Sequence, residues 1–298
     1  MLPSAATPAS PSDPPKVSRY IYVADRSRKK LLVYPAYEPN PQPIRVVGKA
    51  DGIVQPGGVA VDPSGNVYVA NGDGDDVLEF TSGAAAFVKK FTVQLSHPVN
   101  VTVDDGGTVY VVDQNDHYPG GANSAVVEYP KGSTQPNMVL LDPSPALHPL
   151  RGVAVDEHGH VWASTSESTD IWPPPKGDCQ APPDNEVYEF IFPTLMIIAK
   201  LRANTQVWGL ALAHERLYAS DFCSGSVQKY RTSTQRHTGA VRSSFAEPIY
   251  QTISRDHLLV VPCAGGRSNG YVAVIARSAA IVTITGGLVK PIGAAAGP

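Results

Sequence analysis

The chain has 298 residues, a formal net charge of -3 and 42% hydrophobic residues. That charge offers no field to draw in nucleic acid or an anionic membrane, and no run of 18 apolar residues is present to span a bilayer. The apolar content is sufficient for a sizeable core, so no metal or disulfide is needed to hold one domain together.

Residues 1–19 read as a disordered leader rich in Pro, Ala and Ser, with no cationic start or apolar middle of the kind a signal peptide has. Such a leader often follows a removed export signal, so an extracytoplasmic compartment is the expectation. From residue 20 to 298 a single domain is expected, because one phrase recurs six times. A β-branched strand with an aromatic second residue appears as Ile21-Tyr22-Val23-Ala24-Asp25, Val67-Tyr68-Val69-Ala70-Asn71, Val109-Tyr110-Val111-Val112-Asp113, Val161-Trp162-Ala163, Leu217-Tyr218-Ala219-Ser220-Asp221 and, degraded, Leu258-Leu259-Val260-Val261. Its partner strand ends in Tyr34, Phe80, Tyr129, Phe190, Tyr230 and Ile275. The steps from Tyr22 to Leu259 are 46, 42, 52, 56 and 41 residues, the interval expected when one small sheet repeats.

The second unit is the clearest. Pro56 to Asp62, Val67 to Asn71, Val77 to Phe80 and Phe87 to Val93 are four short strands, a to d, separated by turn signals. Strand b is apolar on both faces, so both must be covered, which stacking like sheets around an axis achieves. Strand a recurs at Val99 to Asp104, Arg151 to Asp156, Trp208 to Leu212 and Ile249 to Ile253, leaving the first b strand without one. Lys290-Pro291-Ile292-Gly293-Ala294-Ala295-Ala296 aligns with Gln55-Pro56-Gly57-Gly58-Val59-Ala60-Val61 and supplies it. The fold expected is therefore all-β: a six-bladed β-propeller of four-stranded antiparallel blades, closed by a C-terminal strand that completes the first blade and removes open sheet edges.

The stretch from Pro56 to Asn71 resembles the NHL repeat, and Leu150 to Trp162 repeats it closely. The resemblance covers the chain after the leader, most strongly in repeats two to four. It implies a six-bladed propeller but no single activity, because protein- and RNA-binding modules, gluconolactonase-like metal hydrolases, streptogramin lyases and peptide-amidating lyases share that fold. It also implies that the b–c and d–a connections share one face.

From the b aromatic to the c aromatic the gaps are 12, 12, 19, 28, 12 and 16 residues, so repeats three, four and six carry extra length on one side. Insertions confined to one face usually mark the binding side of a repeat protein. The longest, Thr165 to Glu186, carries Trp172 before three prolines, a stiff apolar element that suits a lid or a docking point. The residues opening each a strand are Gly57-Gly58, Val99-Asn100, Arg151-Gly152, Trp208-Gly209, Ile249-Tyr250 and Ile292-Gly293. This ring contains no His, Asp or Glu, which disfavours a metal or other cofactor there. The ligand contacts expected are Asn100, Arg151, Trp172, Trp208 and Tyr250.

The leading expectation is a monomeric, non-enzymatic recognition propeller that binds a protein, peptide or glycan on the b–c face. The alternative is a metal-assisted lyase or lactone hydrolase holding one divalent cation (Ca, Mg or Zn) in the channel, with His97 or His148 acting beside Asp113 or Asp221. Asp25, Asn71, Asp113 and Asp221 all close b strands and read as strand terminators, since Asx side chains bond to the turns that follow. Gly266-Arg267-Ser268-Asn269-Gly270 fits G-x-S-x-G without the strand–turn–helix that a nucleophile elbow requires. Asp156-Glu157-His158-Gly159-His160 looks metal-prone but aligns with the plain turn Asp62 to Asn66. Cys179, Cys223 and Cys263 fall in like connections of successive repeats, so a Cys179–Cys223 disulfide is expected.

Overall fold

β-branched and aromatic runs broken by Gly, Pro, Asn and Asp leave short strands as the structure these segments adopt. The computed structural model describes residues 17–114, 123–141, 149–165, 186–191, 196–202, 206–241, 245–265, 269–276 and 279–298. Residues 1–16, His148, Trp172 and Cys179 lie outside the described residues.

The first blade holds β1 (Tyr20–Asp25), β2 (Lys30–Pro35) and β3 (Arg45–Val47). The second is β4 (Pro56–Val61), β5 (Val67–Asn71), β6 (Asp76–Phe80) and β7 (Phe87–Phe91). The third is β8 (Pro98–Val103), β9 (Val109–Gln114), β10 (Ser124–Tyr129) and β11 (Met138–Leu141). The fourth is β12 (Leu150–Val155), β13 (His160–Thr165), β14 (Glu186–Ile191) and β15 (Met196–Arg202). The fifth is β16 (Val207–Ala213), β17 (Arg216–Asp221), β18 (Ser226–Arg231) and β19 (Arg236–Val241). The sixth is β20 (Thr252–Ile253), β21 (Leu259–Cys263), β22 (Tyr271–Ala276) and β23 (Ala279–Ile284). The last strand, β24 (Pro291–Gly297), pairs antiparallel with β1, Tyr22 facing Ala295, so the first sheet runs β24-β1-β2-β3. The C-terminus thus supplies strand a of the first blade, as its alignment with the second repeat predicts.

Period-two alternation explains why strand b is apolar on both sides. Ile21 and Val23 pack with Val260 and Val272 of the sixth blade, whereas Tyr22 and Ala24 pack with Val67 and Val69 of the second. Each interblade layer repeats this exchange, and strand a of each blade lies beside strand a of the next, with β20 against β24.

One strand is shorter than its sequence suggests. The residues before β20 leave their own ladder, because Tyr250 N donates to Ile292 O at 3.1 Å and Gln251 N donates back to Ile249 O at 2.9 Å. A three-residue turn at Tyr250 therefore replaces the first half of the sixth a strand and bridges it to Gly293 instead.

Candidate functional site

Four of the six b strands close on an Asx whose side chain holds neighbouring backbone. Asp113 Oδ1 accepts from Ser96 N at 3.0 Å and His97 N at 2.8 Å, and Asn71 Oδ1 accepts from Val54 N at 2.8 Å and Gln55 N at 2.9 Å. Asp25 accepts from Val289 N, Lys290 N and Arg28 N, and Asp221 accepts from Ser224 N at 3.0 Å. These side chains are buried and committed to backbone donors. Of the residues considered for a hydrolytic site, Asp113 and Asp221 are thus strand terminators, and His97 is held to Asp113 through its backbone. Among the described residues, His97, Asp113 and Asp221 do not meet in a cluster with metal-ligand spacing.

The residues that open the a strands form a closed collar. A methyl group at Gly57, Gly209 or Gly293 would fall closer than 3.0 Å to backbone of the next a strand, at Val99 O, Ile249 O and Gly57 O respectively. Glycine here permits strand-to-strand contact that no other residue allows. Asn100 Nδ2 continues the collar by donating to Arg151 O at 3.3 Å. Arg151 lies over the Trp208 ring with Cζ 5.0 Å from its centroid, and Trp208 stacks on Phe222 at 5.2 Å. The structure therefore brings Asn100, Arg151, Trp208 and Tyr250 together, all less than 7% exposed, as a packed layer at the start of the a strands.

Past this collar the a strands diverge. They enclose a cavity of about 630 Å³ that opens on the opposite face, among the a–b turns. Its floor includes Asn100 and Gln251, and its rim includes Asp105, His214, Arg255 and His257. Arg255 is ion-paired with Asp105 across the opening, since the third and sixth blades stand opposite each other in the ring. Both side chains are largely exposed, so the pair adds little stability. His214 and His257 face each other with ring centroids 5.2 Å apart. Sequence reasoning missed this rim. The signal that could have found it is the charged substitution of otherwise plain turns, Arg255-Asp256-His257 where the second blade has Pro63-Ser64-Gly65.

The a–b turns of the second, third and fourth blades share a hydrogen-bonded box built on an Asp. Asp62 Oδ1 accepts from Ser64 N and Asn66 N, both at 2.8 Å, while Oδ2 accepts from Asn66 Nδ2 at 2.9 Å and Tyr68 OH at 3.3 Å. Asp104 repeats the pattern with Thr108 N at 2.8 Å and Tyr110 OH at 3.4 Å. Burial, reinforced by these carboxylates, pushes the Tyr68 and Tyr110 hydroxyls above their ordinary range. In the fourth blade Asp156 Oδ1 accepts from His158 N at 2.9 Å and His160 N at 2.8 Å, so the turn is the one its alignment with Asp62 predicts. Its side-chain partner, however, is an imidazole.

Cys223 is disulfide-bonded, and Cys263 is a buried free thiol pushed up to about 12 by burial.

A ring of six four-stranded blades around an axial cavity, closed by the pairing of β24 with β1, defines a six-bladed β-propeller. No protein-family model and no curated protein matches the chain. Among solved structures it is similar to a chain in the crystal structure of a nidogen/laminin complex, with a TM-score of 0.64 at 15% identity, covering 92% of this chain and 97% of that one. At that identity the likeness concerns the fold. No helix among the described residues is long and apolar enough to cross a membrane.

Proposed function

We propose that this chain is a non-enzymatic recognition propeller of the NHL-repeat kind, binding a protein, peptide or glycan partner on the face that carries the b–c connections. One-sided elaboration carries this reading. The connections after β9, β13 and β21 run over 115–123, 166–185 and 264–270, whereas those after β1, β5 and β17 need only 26–29, 72–75 and 222–225. The a–b turns on the other face stay short in the five blades that have one, the second to the sixth. The collar supports it further, because Asn100, Arg151, Trp208 and Tyr250 are buried at that end of the a strands while the cavity opens at the other. The similar propeller from the nidogen/laminin complex comes from a protein–protein assembly, which favours a protein as the partner. The disulfide at Cys223 suits an oxidising, extracytoplasmic compartment.

The test replaces 166–185 with the four-residue connection found after β17, then compares variant and parent on a displayed peptide library and a glycan array. Ligands selected by the parent should be lost by the variant while the melting temperature is retained. Selection of the same ligands by both proteins would move the site off this face. Turnover of lactone or α-hydroxyglycine substrates, abolished by His97→Ala or His148→Ala, would favour the metal-assisted alternative.

A further inference from the structure

The fourth blade keeps the carboxylates of the turn box but not the groups that neutralise them in the second blade. In the second blade Asp62 is satisfied by Asn66 and Tyr68, and the facing Glu79 is ion-paired with its cross-strand neighbour Lys89 at 3.5 Å. The same register in the fourth blade places Asp156, His160, Trp162 and Glu189 in those four positions, with Ala199 opposite Glu189 where Lys89 stands opposite Glu79. The tyrosine hydroxyl and the lysine ammonium are both gone.

What remains is two carboxylates facing one ring nitrogen. His160 Nδ1 lies 3.1 Å from Glu189 Oε1 and 3.2 Å from Asp156 Oδ2, and the three atoms lie within 4.8 Å of one another. A ring nitrogen carries at most one proton, so it cannot donate fully to both oxygens. Ligand atoms on a tetrahedral zinc, with bonds of about 2.0–2.1 Å, stand about 3.3 Å apart, close to both His160 separations. The donor set of one imidazole and two carboxylates carries the charge that balances a divalent cation. The side chains are 27%, 13% and 12% exposed, leaving an approach for the ion and for a water as fourth ligand.

We propose that Asp156, His160 and Glu189 bind one divalent transition-metal ion of the zinc class, which ties the a–b turn of the fourth blade to its c strand. The site lies on the face opposite the proposed recognition surface, in the blade whose b–c connection is longest.

Chelator-stripped full-length protein titrated with zinc chloride alone tests this. Stoichiometry is read by competition with a chromophoric chelator and stability by thermal melting. The parent should bind one ion and melt at a higher temperature with zinc. His160→Asn, which installs the residue of the second blade, and Glu189→Gln should both fold, melt near the metal-free parent, and lose affinity by about 100-fold or more. Failure of the parent to bind zinc in molar excess overturns the proposal. So does undiminished binding by His160→Asn, which would put the ion elsewhere, for example at the His214–His257 pair, and so does undiminished binding by Glu189→Gln.

Discussion

At the scale of single residues, the glycines of the collar are tested by the smallest possible change. Gly209→Ala sets a methyl against Ile249 O and close to Tyr250 Cα, and backbone cannot swing away as a side-chain tip can. A loss of about 3 kcal/mol in urea unfolding is expected. Gly48→Ala is the control: its φ is -143°, and the nearest atom to the added methyl is Lys30 Cγ at 3.9 Å. It should change stability by less than about 0.5 kcal/mol. Asp113→Ala removes a fully buried acceptor that holds Ser96 N and His97 N, and should cost about 1.5 to 3 kcal/mol. A variant that stays fully stable but loses an activity would instead assign Asp113 to chemistry. These positions also mark where reading by sequence stops. The glycine opening four of the six a strands is visible in Gly58-Val59-Ala60, Gly152-Val153-Ala154, Gly209-Leu210-Ala211 and Gly293-Ala294-Ala295, yet a residue without a side chain does not say whether it lines an opening or lets two strands touch. The structure shows contact, so the wide end of the channel lies on the other face.

At the scale of the blade, strand identity was legible because apolar alternation and turn residues act locally. Partnerships across strands were not, since the loss of Lys89's counterpart at Ala199 appears only once the c–d register is known. The same register sets a pH dependence in the second blade. Burial raises the Glu79 carboxyl above its ordinary 4.5, and the Lys89 ammonium only partly offsets this. A carboxyl with a raised folded-state pKa favours the protonated form, so its benefit is complete below the unfolded value and is lost as pH rises through the folded one. Glu79→Gln should therefore gain stability relative to the parent as pH rises through and above the ordinary carboxyl range. A difference that is flat across this range, or of opposite sign, would contradict the burial argument. The cysteines divide by blade as well. Cys263 is enclosed and its thiol raised, so alkylation of the native, unreduced protein should label nothing. Denaturation should then expose one thiol, and reduction all three cysteines. Three thiols before reduction would remove the disulfide expected between Cys223 and Cys179.

At the scale of the whole ring, closure rests on β24. Its seven residues are all buried, and they hold the first blade on one side and its neighbours on the other. Beyond its ladder with β1, Ala294 O accepts from Thr252 Oγ1 of the sixth blade at 2.9 Å, and Pro298 O accepts from Ser82 Oγ of the second. The closing strand was legible because it repeats the a-strand pattern after the sixth unit has used its own d strand. The cavity it helps enclose was not, because cavity shape depends on how far six strands diverge. Removing 290–298 would expose both edges of the ring and leave β1 without its inner partner, a loss of several kcal/mol for a buried strand. The truncated chain should melt well below the parent or fail to fold, and a synthetic peptide of 290–298 added in excess should recover part of the loss by refilling the vacant edge. An unchanged melting temperature after truncation would mean that the ring is held by its blade-to-blade layers alone. Recovery by the peptide, but not by one with Gly293 replaced by Val, would show that the strand acts through its close approach to Gly57 as well as through its hydrogen bonds.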